Sequence, residues 1–159
     1  MKKQIKSFKY AFEGLFSAIK TESHLRFHLV AAFYVFFFAA LGDFSLSEWT
    51  TLIITVCLVI FAELVNTALE EVCDLYSKEQ NPHIKRIKDV SASAVLVLAM
   101  GAVGVAVFLF IVSGNLLLAT DKIIANPLWF IPLGLSAVLS VLFVGFFGRK
   151  EKKKNTKNK

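Results

Sequence analysis

Cysteine is nearly absent, with only Cys57 and Cys73 in 159 residues. Both fall in one apolar segment, ~24 Å apart if it is helical, so they cannot form an internal disulfide and packing is the role that suits them. The usual signs of nucleotide chemistry are missing as well. No G-x-x-x-x-G-K-[ST] and no strand-borne G-x-G-x-x-G occurs, which excludes the phosphate-cradling loops of the common nucleotide-binding folds. There is no serine nucleophile elbow and no Cys/His set at zinc spacing. The N-terminal run K-K-Q-I-K-S-F-K-Y-A-F-E-G-L-F-S-A-I-K lacks the apolar stretch of a signal peptide.

What is present is apolar. Hydrophobic residues make up 56% of the chain and the net charge is +6, with a mean hydropathy of +0.63. These values imply one compact membrane domain. In the N-terminal run Ile5, Phe8, Phe12, Leu15 and Ile19 recur every three or four residues, with Lys3, Lys6, Lys9 and Glu13 between them. That pattern predicts an amphipathic helix lying in the membrane surface. Four hydrophobic segments follow, at about 27–41, 49–76, 91–112 and 127–147. The first is short for a span and is expected to borrow length from its flanks. Residues 42–47, 77–90 and 113–126 are expected to connect them. The third segment is rich in small residues, Ala99, Gly101, Ala102, Gly104 and Ala106, which suit close helix approach within or between subunits.

Basic residues are scarce on one side of this arrangement. Six Lys and Arg precede the first span, four lie in 77–90 and seven follow Gly148, leaving only Lys122 for the other side. The bias places both termini and the 77–90 connection in the cytoplasm. The basic termini suit anionic lipid headgroups, with no nucleic-acid partner.

The second segment carries the chemistry. In E-L-V-N-T-A-L-E-E-V-C-D, the residues Glu63, Asn66, Glu70 and Asp74 fall within about 80° of one helix face. An acid near the bilayer centre costs ~2.5–3.5 kcal/mol, so a one-sided stripe reads as a site. Counted from the interfacial Trp49, Glu63 lies ~21 Å and Glu70 ~31 Å along the axis, against a hydrocarbon core of ~30 Å. Glu63 is therefore placed at lipid depth, while Glu70 and Asp74 emerge into water. Glu22 and Arg26 before the first span, and Lys88 and Asp89 opening the third, belong to the same depth. Carboxylates at a water interface suit Mg²⁺ with phosphate oxygens, lysines can neutralise phosphate, and a Glu in low dielectric can accept a hydroxyl proton. Phosphoryl transfer needs those three things. Simpler roles fit some of the same residues. Glu22 and Arg26, at i,i+4, also suit a surface ion pair, and His24 and His28, without a third ligand, suit interfacial packing better than zinc.

The motif E-x-x-N-[ST]-A-x-E-x-x-x-D, followed fourteen residues later by K-D, resembles the small prokaryotic integral-membrane diacylglycerol and undecaprenol kinases. The resemblance covers about residues 1–112. It implies an all-α membrane protein with a surface helix and a three-span kinase core, to which residues 113–148 add a loop and a fourth span and 149–159 a basic tail. It further implies ATP as cosubstrate with Mg²⁺, and a homotrimer whose sites are shared between subunits. By position, it makes Glu63 the general base on the lipid hydroxyl, and Glu22 and Glu70 the metal-linked carboxylates. Lys88 and Asp89 correspond to nucleotide contacts, with Tyr10, Glu79, Gln80 and Asn81 beside them. Asn66 is expected to orient Glu63 or a phosphate, with Asp74 in support. His24, Leu25, Arg26, Phe27, His28 and Ala92 are expected to line the lipid approach. Lys3 stands where the best-known diacylglycerol kinases carry an Arg, keeping the charge but not the planar fork. The segment E-S-H-L-R-F-H-L is similar to the E-x-N-F-R-x-H-L form of Gram-positive members, which favours undecaprenol over diacylglycerol. A membrane scaffold or small transporter is the rival reading, although no broken helices or inverted repeat support transport.

Overall fold

The computed structural model describes residues 2–76 and 81–147, with side chains at 4–76, 81–145 and 147. Among the described residues there is no strand. The expected contacts Glu79 and Gln80 and the basic tail at 149–159 lie outside the described residues, as does the side chain of Lys3.

Helix α1 (Lys2–Thr21) is the amphipathic N-terminal helix. Ile5, Phe8, Phe12 and Phe16 are exposed, as a helix seated in a membrane surface requires, while Leu15 and Ile19 near its end are half-buried. After a break at Glu22 the chain enters α2 (Ser23–Leu41), so the short first segment does gain a turn from its N-terminal flank. Helix α3 (Leu46–Tyr76) has 31 residues and is ~46 Å long, so it outreaches the hydrocarbon core and carries its last turns into the interface. Helix α4 (Pro82–Ala106) starts inside the stretch expected to be a polar connection. The cause is local: the Asn81 side chain accepts the His83 backbone N–H at 2.9 Å, and Pro82 occupies the first turn, where its missing N–H is harmless.

The connection expected at 113–126 is also largely helical. A π-helical turn (Val107–Val112) ends α4, Gly114 turns the chain at φ +77°, and α5 (Asn115–Ala125) follows. A positive φ suits glycine because a Cβ would strain there. At Gly42 the constraint is space: a Cβ would lie 3.1 Å from the Phe44 ring and 3.3 Å from Cβ of Asn115, so these side chains would have to give by a few tenths of an ångström. A 3₁₀ turn (Pro127–Trp129) leads into α6 (Phe130–Phe146), the fourth span.

Helices α3 and α4 pack most extensively, with α2 against α3 and α6 against α2. The end of the bundle remote from the stripe holds the aromatic core. Ala39, Leu52, Leu109 and Phe110 are buried there, with Trp49 stacked on Phe36 at 6.3 Å and Phe110 against Phe44 at 5.0 Å. The spans otherwise bury little of themselves, leaving Phe61, Met100 and Leu135 exposed; such apolar surface belongs in lipid or against other chains. Gly101 and Gly104 would meet nothing within 4 Å if given a Cβ. Within the chain Gly101 and Gly104 do not mediate close helix contact, because α4 presents Lys88 and Ser91 to α3 along another face.

Candidate active site

The stripe on α3 becomes a connected seam between α2, α3 and α4. Glu63 is 5% exposed, and its Oε1 lies 3.5 Å from Nε2 of His28 on α2. Three residues on, Asn66 donates to Glu70 Oε1 at 2.9 Å, and Asn66 Oδ1 accepts from Ser91 at 2.6 Å. Further toward the interface, Lys88 of α4 pairs with Asp74. Residues from the start of α2, the end of α3 and the start of α4 thus gather at one end of the bundle.

Asn66 does not orient Glu63. The i,i+4 spacing sets its amide over Glu70, while His28 takes Glu63. Ser91 escaped the sequence reading altogether. It is 8% exposed and donates to Lys88 carbonyl oxygen as well as to Asn66. Its only signal is a small hydroxyl residue two positions after Asp89, at the head of an apolar helix.

The expected lipid approach divides. His28 faces the seam, Phe27 is exposed and meets the His28 ring edge-on at 5.7 Å, and His24 is exposed. Leu25 is fully buried at 0% exposure, so it is a packing residue that no substrate can touch. Arg26 is 5% exposed and forms no ion pair with Glu22 among the described residues. Its NH1 donates instead to the carbonyls of Ile19 at 2.8 Å and Lys20 at 3.0 Å, and its Nε and NH2 to that of Val144 at 3.4 and 3.3 Å. Asp89 and Ala92 are exposed on α4, and Tyr10 is exposed on α1. Asn81, expected beside the nucleotide, caps α4.

Among the described residues no three His, Cys, Asp or Glu side chains form a metal cage. Glu22 and Glu70, both half-buried, supply hard oxygen donors that fit a hydrated Mg²⁺ completed by phosphate oxygens and water.

Above the seam an apolar cleft of about 90 Å³, open to the surroundings, runs between α2, α3 and α4. His28 stands at its polar end, Ala31 and Val35 continue along α2, and Val56 and Ile60 face them from α3. Ala102 and Ala106, two of the small residues of the third span, form part of its wall.

Residues 9–110 match the family described as prokaryotic diacylglycerol kinase. The chain is similar to the undecaprenol kinase of Bacillus subtilis, 34% identical over 106 residues, covering 65% of this chain and 86% of that protein. It is also similar to the diacylglycerol kinase of Synechocystis sp., 38% identical over 113 residues, covering 70% of this chain and 61% of that protein. The diacylglycerol kinase of Helicobacter pylori is 30% identical over 96 residues, covering 60% of this chain and 75% of that protein.

Proposed function

The chain belongs to the prokaryotic diacylglycerol kinase family and is a lipid kinase of the bacterial membrane, and from that premise we propose undecaprenol as its acceptor and ATP as its phosphoryl donor. The observation that carries the mechanism is the buried Glu63, held by His28 at the polar end of an apolar cleft. A lipid whose isoprenoid or acyl chain lies along that cleft brings its headgroup hydroxyl to Glu63. The carboxylate takes the hydroxyl proton as the lipid oxygen bonds to the γ-phosphorus and the bond from that phosphorus to the leaving ADP oxygen breaks.

Around that step the other residues position and neutralise. Asn66, fixed by Ser91, holds one oxygen of Glu70 and leaves the carboxylate directed at the aqueous end of the seam. Glu22 and Glu70 are the residues that would hold Mg²⁺, which when bound offsets the charge of the nucleotide phosphates. Lys88, oriented by Asp74, lies where it can meet the same phosphates, and Tyr10 and Lys3 on α1 complete the nucleotide side. Asp89 and Ala92 face outward, and Gly101 and Gly104 leave open space beside α4. Both features support a homotrimer in which a second copy meets this face. The excess of Lys and Arg supports cytoplasmic termini, so that ATP enters from inside the cell.

Undecaprenol is favoured by the relative from Bacillus subtilis and by the H-L-R-F-H-L segment. The names of the other relatives favour diacylglycerol as a second reading. Purified protein offered MgATP with undecaprenol and with diacylglycerol side by side decides between them. Faster turnover with diacylglycerol at matched mole fraction would reverse the assignment.

A further inference from the structure

We propose that Arg26 is a positioning residue through which the fourth span, outside the family match at 9–110, holds the surface helix against the site. Three helix ends meet at this one side chain. Ile19 and Lys20 lie in the last turn of α1, and Val144 lies in the last turn of α6. Carbonyls in a last turn have no partner within their own helix, and they carry the negative end of the helix dipole. The guanidinium of Arg26 donates to all three from the first turn of α2. Its planar fork holds donors along two edges in a fixed geometry, whereas an ammonium offers its donors from a single point on a flexible stem. With the side chain 5% exposed and the neighbouring Leu25 at 0%, the group is committed to this junction and is not available to a lipid headgroup.

The fourth span is secured to α2 at two other heights. The hydroxyls of Tyr34 and Ser136 are 3.1 Å apart, and Trp129 meets Phe37 edge-on at 5.7 Å. Helix α6 is therefore a fixed post, and Arg26 ties the end of α1 to it. Helix α1 leads directly into Glu22 and carries Tyr10, so its angle sets where these residues stand relative to Glu70. Losing the tie frees α1 and weakens the nucleotide side of the site, while the lipid side, built on His28 and Glu63, stays in place. The nucleotide part of this inference rests on the kinase reading.

Full-length protein with Cys57→Ser and Cys73→Ala is spin-labelled at Phe8→Cys on α1 and Val141→Cys on α6. Distance distributions by pulsed electron spin resonance, MgATP affinity by equilibrium binding and KM for undecaprenol are then compared for Arg26→Gln, Arg26→Lys and the parent. Arg26→Gln should broaden the distribution and weaken MgATP binding by about tenfold or more, as loss of charge-assisted hydrogen bonds implies, with little change in KM for the lipid. Arg26→Lys should be intermediate, and it decides the matter if the glutamine variant does not fold. An unchanged distribution with a raised lipid KM would overturn the proposal and make Arg26 a substrate contact. A broadened distribution with unaltered MgATP affinity would also overturn it, since the tie would then have no bearing on the site. If the parent binds no MgATP, it is the kinase reading that fails, and the distance distributions still decide whether α6 holds α1.

Discussion

Glu63 and Glu70 sit seven residues apart on one helix face and meet different surroundings. Glu63 is buried beside His28 on α2, whereas Glu70 is half-buried and hydrogen-bonded by Asn66 on its own helix. Glu63→Gln keeps the shape of the side chain and removes its basicity, so turnover should fall ~10²–10⁴-fold while MgATP binding is retained. Steady-state turnover measured beside equilibrium nucleotide binding checks this, and near-normal turnover would remove Glu63 from the role of base. Glu22→Ala and Glu70→Ala should each raise the Mg²⁺ concentration needed for half-maximal turnover, because each withdraws a hard oxygen donor from the interface. Superimposable Mg²⁺ titrations for both variants and wild type would exclude the metal role. A shift in Glu70→Ala alone would leave Glu22 as the residue preceding α2, without a metal role.

Among the elements, α5 depends on one buried amide. Asn115 is 4% exposed, accepts the Asp43 backbone N–H at 3.0 Å, and donates to Leu109 carbonyl oxygen at 3.1 Å, Ser113 Oγ at 2.9 Å and Glu48 Oε1 at 3.3 Å. It joins the loop after α2, the start of α3, the π-helical turn and α5. Asn115→Leu preserves most of the volume and strands those groups, which should cost ~1–3 kcal/mol. Gly114→Ala, by forcing a Cβ into the left-handed region, should cost ~1–2 kcal/mol. Thermal unfolding in detergent measures both. The junction at Glu48 lies fifteen residues of α3, ~22 Å, from Glu63, so MgATP affinity should not change; a large loss of affinity would show that this end of the bundle is coupled to the site.

For the whole molecule, the contacts run up and down. Trp129 at the start of α6 meets Phe37 near the end of α2, and Val144 near the end of α6 meets Arg26 at the start of α2. The N-terminal helix, the α3–α4 junction and the end of α6 therefore share one end, and α5 with Lys122 lies at the other. The distribution of basic residues supports the proposal that the first end is cytoplasmic. A membrane-impermeant thiol reagent applied to intact cells should label Lys122→Cys and spare His83→Cys, both in a background lacking Cys57 and Cys73. Labelling of His83→Cys alone would invert the topology.

The stripe on α3 was legible from spacing because helical periodicity converts a row of four polar residues directly into a face, and the cost of acids in lipid makes such a face informative. The spans and the surface helix were legible for the same reason, since hydropathy and its period are properties of neighbouring residues. Contacts between residues distant in the chain were not. Ser91 meets Asn66 across 25 positions, and nothing in its local run distinguishes it from a small helix residue. Arg26 looks like half of an ion pair with Glu22, yet its partners are backbone carbonyls, one of them 118 positions away, and a carbonyl has no letter in a sequence. The start of α4 and the whole of α5 read as connections because polar residues lower the hydropathy there, while the caps at Asn81 and Gly114 and the burial of Asn115 hold both in helix. Residue identity and spacing therefore specified the polar face and the apolar helices that carry it; what each carboxylate meets, what holds it and how the fourth span is tied in depended on the packing of helices far apart in the chain.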